Sequence, residues 1–278
     1  MPPVYFVLGL PGSGRREVLL DLIDGGLPDA KTVAVFHAPE VDPSTEAAVA
    51  LAAHPGVTFI PYTFTPGVRV VAPPGFTVPL GTYTEGSFHA APDAGADADA
   101  VFFLADALSS PIDQLEAFPT WLREHGWELT RVLLLVHCSL AADQPFVARW
   151  YEACAHFADC VLLNRRTPAA HVWMQDFRKL LGARHYPCHI ALVKDGGVEN
   201  APLLLFPETR RASHAFDHVD PYEDLEDEDE EDLPEGPFAL EQKVDPYFER
   251  LPSGHRKQPV PDLMKILAES AQLNAKGK

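Results

Sequence analysis

The sequence predicts an α/β fold, a mostly parallel sheet with helices on both faces. Two observations predict it. Short runs that are apolar on both sides, such as residues 4–8 and 131–136, alternate with helical patterns as far as about residue 195. A strand buried on both faces needs cover on both faces, and parallel connections supply it by sending a helix across between strands. A glycine-rich turn also separates the first apolar run from the first helical pattern.

The elements follow in order. Residues 4–8 read as a buried strand, residues 15–23 as a helix and residues 32–36 as a second strand. Asp42-Pro43-Ser44-Thr45-Glu46 supplies a cap, a first-turn proline and an acid for the helix dipole, so a helix to about His54 is expected. Residues 57–85 are rich in Pro, Gly, Thr and Val and suggest short strands or loops. Residues 100–104 form a strand. Ser110-Pro111 opens a helix to about His125, and residues 131–136 form the most apolar strand. A helix over 144–157, a strand over 160–164, a helix over 169–181 stopped by Gly182 and a strand over 189–193 complete the series.

Charge divides the chain. Twelve acidic residues and no Lys or Arg fall between Asp217 and Glu235, and the other residues carry -6 of the formal charge of -18. Such a run repels itself and has no apolar face, so it is expected as a disordered or exposed linker. The division that follows is a domain over 1–215, an acidic linker over 216–237 and a short extension over 238–278 with one helix from Pro261. Asp220-Pro-Tyr-Glu223 is echoed by Asp245-Pro-Tyr-Phe248, too short an echo to define a repeat.

Composition excludes several classes. No apolar run approaches the ~20 residues of a membrane span, and the start lacks the basic flank of a secretory leader. The acidic balance argues against nucleic acid as a partner. Four scattered cysteines, Cys138, Cys154, Cys160 and Cys188, show no metal-ligand spacing. Reduced thiols in a cytoplasmic protein are the expectation.

The segment richest in chemistry is Gly9-Leu10-Pro11-Gly12-Ser13-Gly14-Arg15-Arg16, between the first strand and the first helix. Glycines there let backbone N–H groups wrap a phosphate, and the helix start adds positive potential. The spacing of Gly9 and Gly14 fits G-x-x-x-x-G-K-[ST]. Arg15 stands in the Lys position and Arg16 in the position of the magnesium-binding hydroxyl. A guanidinium cannot ligate Mg²⁺. Two readings stay open: a phosphate site working without magnesium, and an inherited loop that binds nothing.

The order of segments resembles the CobW/HypB/UreG group of P-loop GTPases, and within it the CobW-like proteins. The resemblance rests on Gly9–Arg16, residues 101–111, residues 131–139 and residues 156–167, and spans about residues 4 to 195. It implies a P-loop NTPase fold and a bound purine nucleotide, GTP foremost. Gly9, Gly12, Ser13 and Gly14 would be the phosphate cradle, Arg15 and Arg16 would flank the phosphates, and Asn164 would contact the base. It also implies a role related to metal-cofactor handling. Each motif departs from the family pattern. The E-T-T-G segment becomes Leu104-Ala105-Asp106-Ala107, and N-K-x-D becomes Asn164-Arg165-Arg166-Thr167. The C-x-C-C metal motif has no counterpart. Weak or lost hydrolysis is therefore expected, with a catalytically inactive interaction scaffold as the alternative, its acidic 217–235 segment offered to a protein partner.

Other candidates carry less. His214 and His218, four apart, are too few for a metal site, so none is expected. Asp106 reads as either an acid near a metal or a loop cap. Cys138 and Ser139 follow the most apolar strand but lack a nucleophile elbow. Thr167 before Pro168 reads as a helix N-cap.

Overall fold

The computed structural model describes residues 1–39, 46–68, 83–217 and 244–263. The acidic run from residue 218, the cap at 42–45 and most of the expected helix from Pro261 lie outside the described residues.

Ten strands and seven helices are laid out over the described chain. They begin β1 (Val4–Gly9), α1 (Arg15–Gly26), β2 (Val33–His37), α2 (Glu46–Ala52), β3 (Val57–Pro61), β4 (Thr63–Thr65), β5 (Ser87–His89), β6 (Ala100–Leu104) and α3 (Pro111–His125). They continue with β7 (Leu129–His137), α4 (Cys138–Asp143), α5 (Pro145–His156), β8 (Cys160–Asn164), α6 (His171–Ala183), β9 (His189–Lys194), β10 (Gly197–Val198) and α7 (Ala201–Leu205). Eight strands form one sheet in the order β10-β9-β8-β7-β1-β6-β2-β3, and β4 pairs with β5 apart from it. Every pairing in the large sheet is parallel except β10 on β9. This is a mostly parallel, doubly covered α/β architecture, with β1 near the centre of the sheet and its loop leading straight into α1.

The apolar runs are buried because alternate side chains serve opposite layers. Val4, Phe6 and Leu8 enter the layer under α3 and α5, whereas Tyr5 and Val7 enter the layer under α1 and α7. The first layer is aromatic. Phe103 lies within 4.4–5.6 Å, centroid to centroid, of Phe6, Phe36, Tyr62, Phe88, Phe118 and Trp121. The β4–β5 pair belongs to this packing, since Phe88 reaches the core from β5.

Local chemistry sets several ends. The Ser110 side chain accepts the Asp113 N–H at the start of α3, Pro111 takes its first turn, and Gly126 at φ 64° ends it. α3 runs through Pro119 to His125 as expected, the lost N–H outweighed by the burial of Leu115, Phe118, Trp121 and Leu122. Two details differ from the sequence expectation. α6 runs through Gly182 and ends where His185 turns at φ 55°, because Leu181 is buried and holds the last turn in place. Thr167 precedes a 3-10 turn at Pro168–Ala170, but its side chain makes no capping bond. α4 and α7 were not expected, since each is too short to show a helical period.

Residues 244–263 pack on the core. Phe248 stacks on Phe157 at 5.4 Å, and Arg250 pairs with Glu116 of α3 at 2.6 Å.

Candidate functional site

The carboxyl ends of β1, β6, β7 and β8 bring the sequence-selected residues together, as open α/β sheets do with their ligand sites. The loop leaves β1 at Gly9. Gly9 itself is extended at φ 159°, so its requirement is space. A Cβ there would lie 2.7 Å from Ser13 Oγ and 3.1 Å from the Leu135 carbonyl oxygen. The chain then turns, with the Ser13 N–H donating to the Leu10 carbonyl at 3.1 Å. Gly12 and Gly14 adopt left-handed backbone at φ 77° and 88°, a conformation that costs other residues about 1–2 kcal/mol. Gly14 caps α1, and the helical ladder starts where the Val18 N–H donates to the Gly14 carbonyl at 3.1 Å. The positive end of α1 therefore lies at this loop.

Ser13 is fully buried, and its hydroxyl has no hydrogen-bond partner among the described residues. It lies against Gly9, inside the loop. An orphaned buried hydroxyl is costly, and an anion arriving in the loop would accept its proton.

Arg15 is 6% exposed, and its Nη1 donates to the Ala105 carbonyl at 2.7 Å, tying the start of α1 to the end of β6. Beside it the Tyr62 hydroxyl donates to the Leu104 carbonyl at 2.8 Å. Burial, with the Asp106 charge, pushes the Tyr62 phenol well above its ordinary value, against the pull of Arg15. Arg16 turns its guanidinium over the Phe59 ring of β3 at 5.4 Å. It supplies no oxygen in the place where a hydroxyl would hold magnesium, and the loop does not fit that metal.

The end of β8 closes the other side. Asn164, 6% exposed, donates its side-chain N–H to the Ser13 carbonyl at 2.8 Å. Arg165, at φ 49°, donates through Nε to the Gly12 carbonyl at 3.1 Å and pairs with Glu17 at 2.6 Å. Arg166 donates to the Val193 carbonyl at 2.9 Å, joining this exit to β9. Arg165 and Glu17 were missed as a pair; only the first-turn acid in α1 signalled one half of it. At the end of β7, burial and the Arg165 charge hold His137 below the ordinary imidazole value.

Asp106 is a loop cap. Its carboxylate accepts the Leu108 N–H at 3.0 Å and the Ser109 hydroxyl at 2.6 Å, and Gln114 brackets its backbone from α3. Gln114 is fully buried, and no sequence signal marked it. Cys138 is fully buried, and burial pushes its thiol up to about 12, far from a nucleophile's range. Among the described residues no group of three or more His, Cys, Asp or Glu side chains is placed to hold a metal ion, and His214 pairs with Asp217 at 2.8 Å. His218 lies outside them. No described helix is long and apolar enough to cross a membrane.

The arrangement is thus a glycine-rich strand-to-helix loop in a mostly parallel α/β sheet, with a buried hydroxyl inside it and arginines around it. No protein-family model matches the chain, and no curated protein matches it. Among solved structures, a Zn(II)-bound triple mutant of the YjiA GTPase is similar at 16% identity and a TM-score of 0.40. The match covers 74% of this chain and 62% of that one, so the chain spans less than two thirds of that protein's length.

Proposed function

We propose that this chain binds the phosphates of a purine nucleotide, GTP foremost, in the loop Gly9–Arg16, with hydrolysis weak or lost. The observation that carries this reading is the Ser13 hydroxyl, buried inside the loop without a partner among the described residues. Gly12 and Gly14 in left-handed backbone and the start of α1 add the backbone and dipole that favour an anion. Arg15, Arg16, Arg165 and Arg166 concentrate positive charge in these two segments of a chain whose net charge is -18. Gly9, Gly12, Ser13 and Gly14 form the cradle, and Arg15 meets the phosphate charge after leaving the Ala105 carbonyl. Asn164 orients the loop from β8 beside the base.

Magnesium has no place in this reading, because Arg16 replaces its hydroxyl ligand and turns to Phe59. Without the metal and a positioned water, charge at the transferring phosphoryl group goes unneutralised, which is why turnover is expected to be weak. The reading keeps the likeness to CobW-type nucleotide proteins and their place in metal-cofactor handling, in a cytoplasmic protein whose acidic segment serves a protein partner.

A second reading is an inactive scaffold. One observation favours it: the Arg15 guanidinium already has an acceptor in the Ala105 carbonyl, so the loop's inner charge is met by the protein itself. Calorimetric titration with GTP, GDP and ATP, with and without magnesium, decides between them. Micromolar binding of guanine nucleotides that is indifferent to magnesium is the expected outcome. No heat with any nucleotide, from folded protein, leaves the scaffold.

A further inference from the structure

Arg131 is a fully buried cation with an open edge. It shares a face of β7 with Leu133 and Leu135, in the layer under α1 and α7, and is 1% exposed. Its Nη1 donates to Cys160 Sγ at 3.0 Å. Burial pushes that thiol up to about 11, so it offers no negative charge. Nε and Nη2 have no hydrogen-bond partner among the described residues. The Glu208 carboxylate stands 3.9 Å from Nη2, too far for a hydrogen bond, and pairs with Arg210 at 2.9 Å. A buried guanidinium without a hydrogen-bonded counter-charge is costly.

The two open atoms are neighbours. Nε–H and one Nη2–H lie parallel on the same edge of the guanidinium plane, the edge that takes both oxygens of a carboxylate. A single orphaned donor calls for a water, whereas a complete open fork matches a bidentate oxyanion.

A cavity of about 620 Å³ lies at the amino edge of the sheet, where β1 and β7 begin and α1 ends. Leu27, Pro202, Phe206 and Pro207 make its walls largely apolar, and Glu128 in its lining is exposed. Three of the lining residues lead to Arg131. Tyr5 is its partner in register, Thr130 precedes it, and Pro207 precedes Glu208. Arg131 also pulls on the Tyr5 phenol, which burial pushes up to about 12. We propose that this cavity and the Arg131 fork together bind a carboxylate with an apolar body. Its two oxygens meet Nε and Nη2, along the approach where Glu208 now stands, and its body lies against Leu27 and Phe206. Inorganic phosphate would match the fork but leave the apolar walls uncovered. The site is at the opposite end of β1 from Gly9–Arg16, so the inference is independent of whether a nucleotide binds there.

The test is calorimetric titration of the full chain with octanoate, and with acetate, 1-octanol and inorganic phosphate as probes of head and body. Octanoate is expected to bind at one site, and each of the other three at least about tenfold more weakly. Arg131→Met removes the fork and is expected to fold, since an apolar side chain suits a buried place at least as well as an unpaired cation. It should weaken octanoate at least about tenfold, the worth of a charged hydrogen-bonded pair. Phe206 is 58% exposed, so Phe206→Glu leaves the core intact and should weaken octanoate too. No binding of octanoate to the wild-type chain overturns the proposal. So does an octanoate affinity left unchanged by either variant, or 1-octanol or phosphate binding as tightly as octanoate.

Discussion

The Asn164 side-chain amide donates to the Ser13 carbonyl at 2.8 Å, joining the end of β8 to the phosphate-type loop 151 residues earlier. With Arg165 on the Gly12 carbonyl, this bond holds the loop from outside, and the backbone glycines shape it from within.

Replacing Asn164 by Ala leaves the Ser13 carbonyl without that donor in a buried setting. A loss of about 1–3 kcal/mol is expected, seen as a lower urea midpoint at unchanged slope. Asn164→Asp is expected to cost at least as much, since a carboxylate would then face a carbonyl oxygen. A midpoint unchanged in both variants would show that the loop does not depend on β8.

Gly14→Ala meets two obstacles. The backbone is left-handed at φ 88°, and the new Cβ would lie 2.4 Å from Asn164 Nδ2. The conformational cost alone is about 1–2 kcal/mol, so the melting temperature should fall by several degrees. Gly182→Ala, in α6 with open space around it, is the matched control and should stabilise by up to about 1 kcal/mol.

The thiols should separate by reactivity. Cys138, Cys154 and Cys160 are fully buried, whereas Cys188 is half-buried. Burial pushes the thiols of Cys160 and Cys188 up to about 11. Iodoacetamide at pH 8 is expected to modify Cys188 slowly and the other three only after denaturation. Rapid labelling of Cys138 in the folded protein would reopen a nucleophilic role for the end of β7.

Docking of the 244–263 segment should be acid-labile. Burial raises the Asp245 carboxyl, but hydrogen bonds from His156, Ser213 and the Tyr247 N–H outweigh it and hold it below its usual range. A carboxylate with a depressed native value stabilises fully above its ordinary value of ~3.9 and loses that contribution as pH falls through the native one. The near-ultraviolet signal of Tyr247 should therefore change below ~pH 4. Asp245→Asn should abolish that step.

Arg15→Lys with Arg16→Thr restores the two side chains that the loop spacing calls for. If the pocket is intact, nucleotide affinity in the double variant should become dependent on magnesium. A folded double variant that ignores both nucleotide and metal would count for the scaffold.

Most of the frame is legible in the amino-acid sequence. The strand over 160–164 and the helix opening at Ser110-Pro111 have the predicted bounds, because burial on both faces and a Ser-Pro cap are written in adjacent residues. The end of α6 was not legible: Gly182 looks like a stop until Leu181 is seen packed in the core. The docking of Asp245 on His156 was hidden for another reason. The partners lie 89 residues apart, and neither carries a local signal for the other.

The sequence by itself determined the α/β class, the first strand with its glycine-rich exit, and the incompatibility of Arg16 with magnesium. Each of these depends on residue chemistry and spacing within a few turns of chain. Only the tertiary structure decided where the arginines go: Arg15 inward to the Ala105 carbonyl, Arg16 out to Phe59, and Arg165 across to Glu17. A long charged side chain has many rotamers of similar local energy. The partner that selects one is brought near by the sheet, 43 to 148 residues away along the chain.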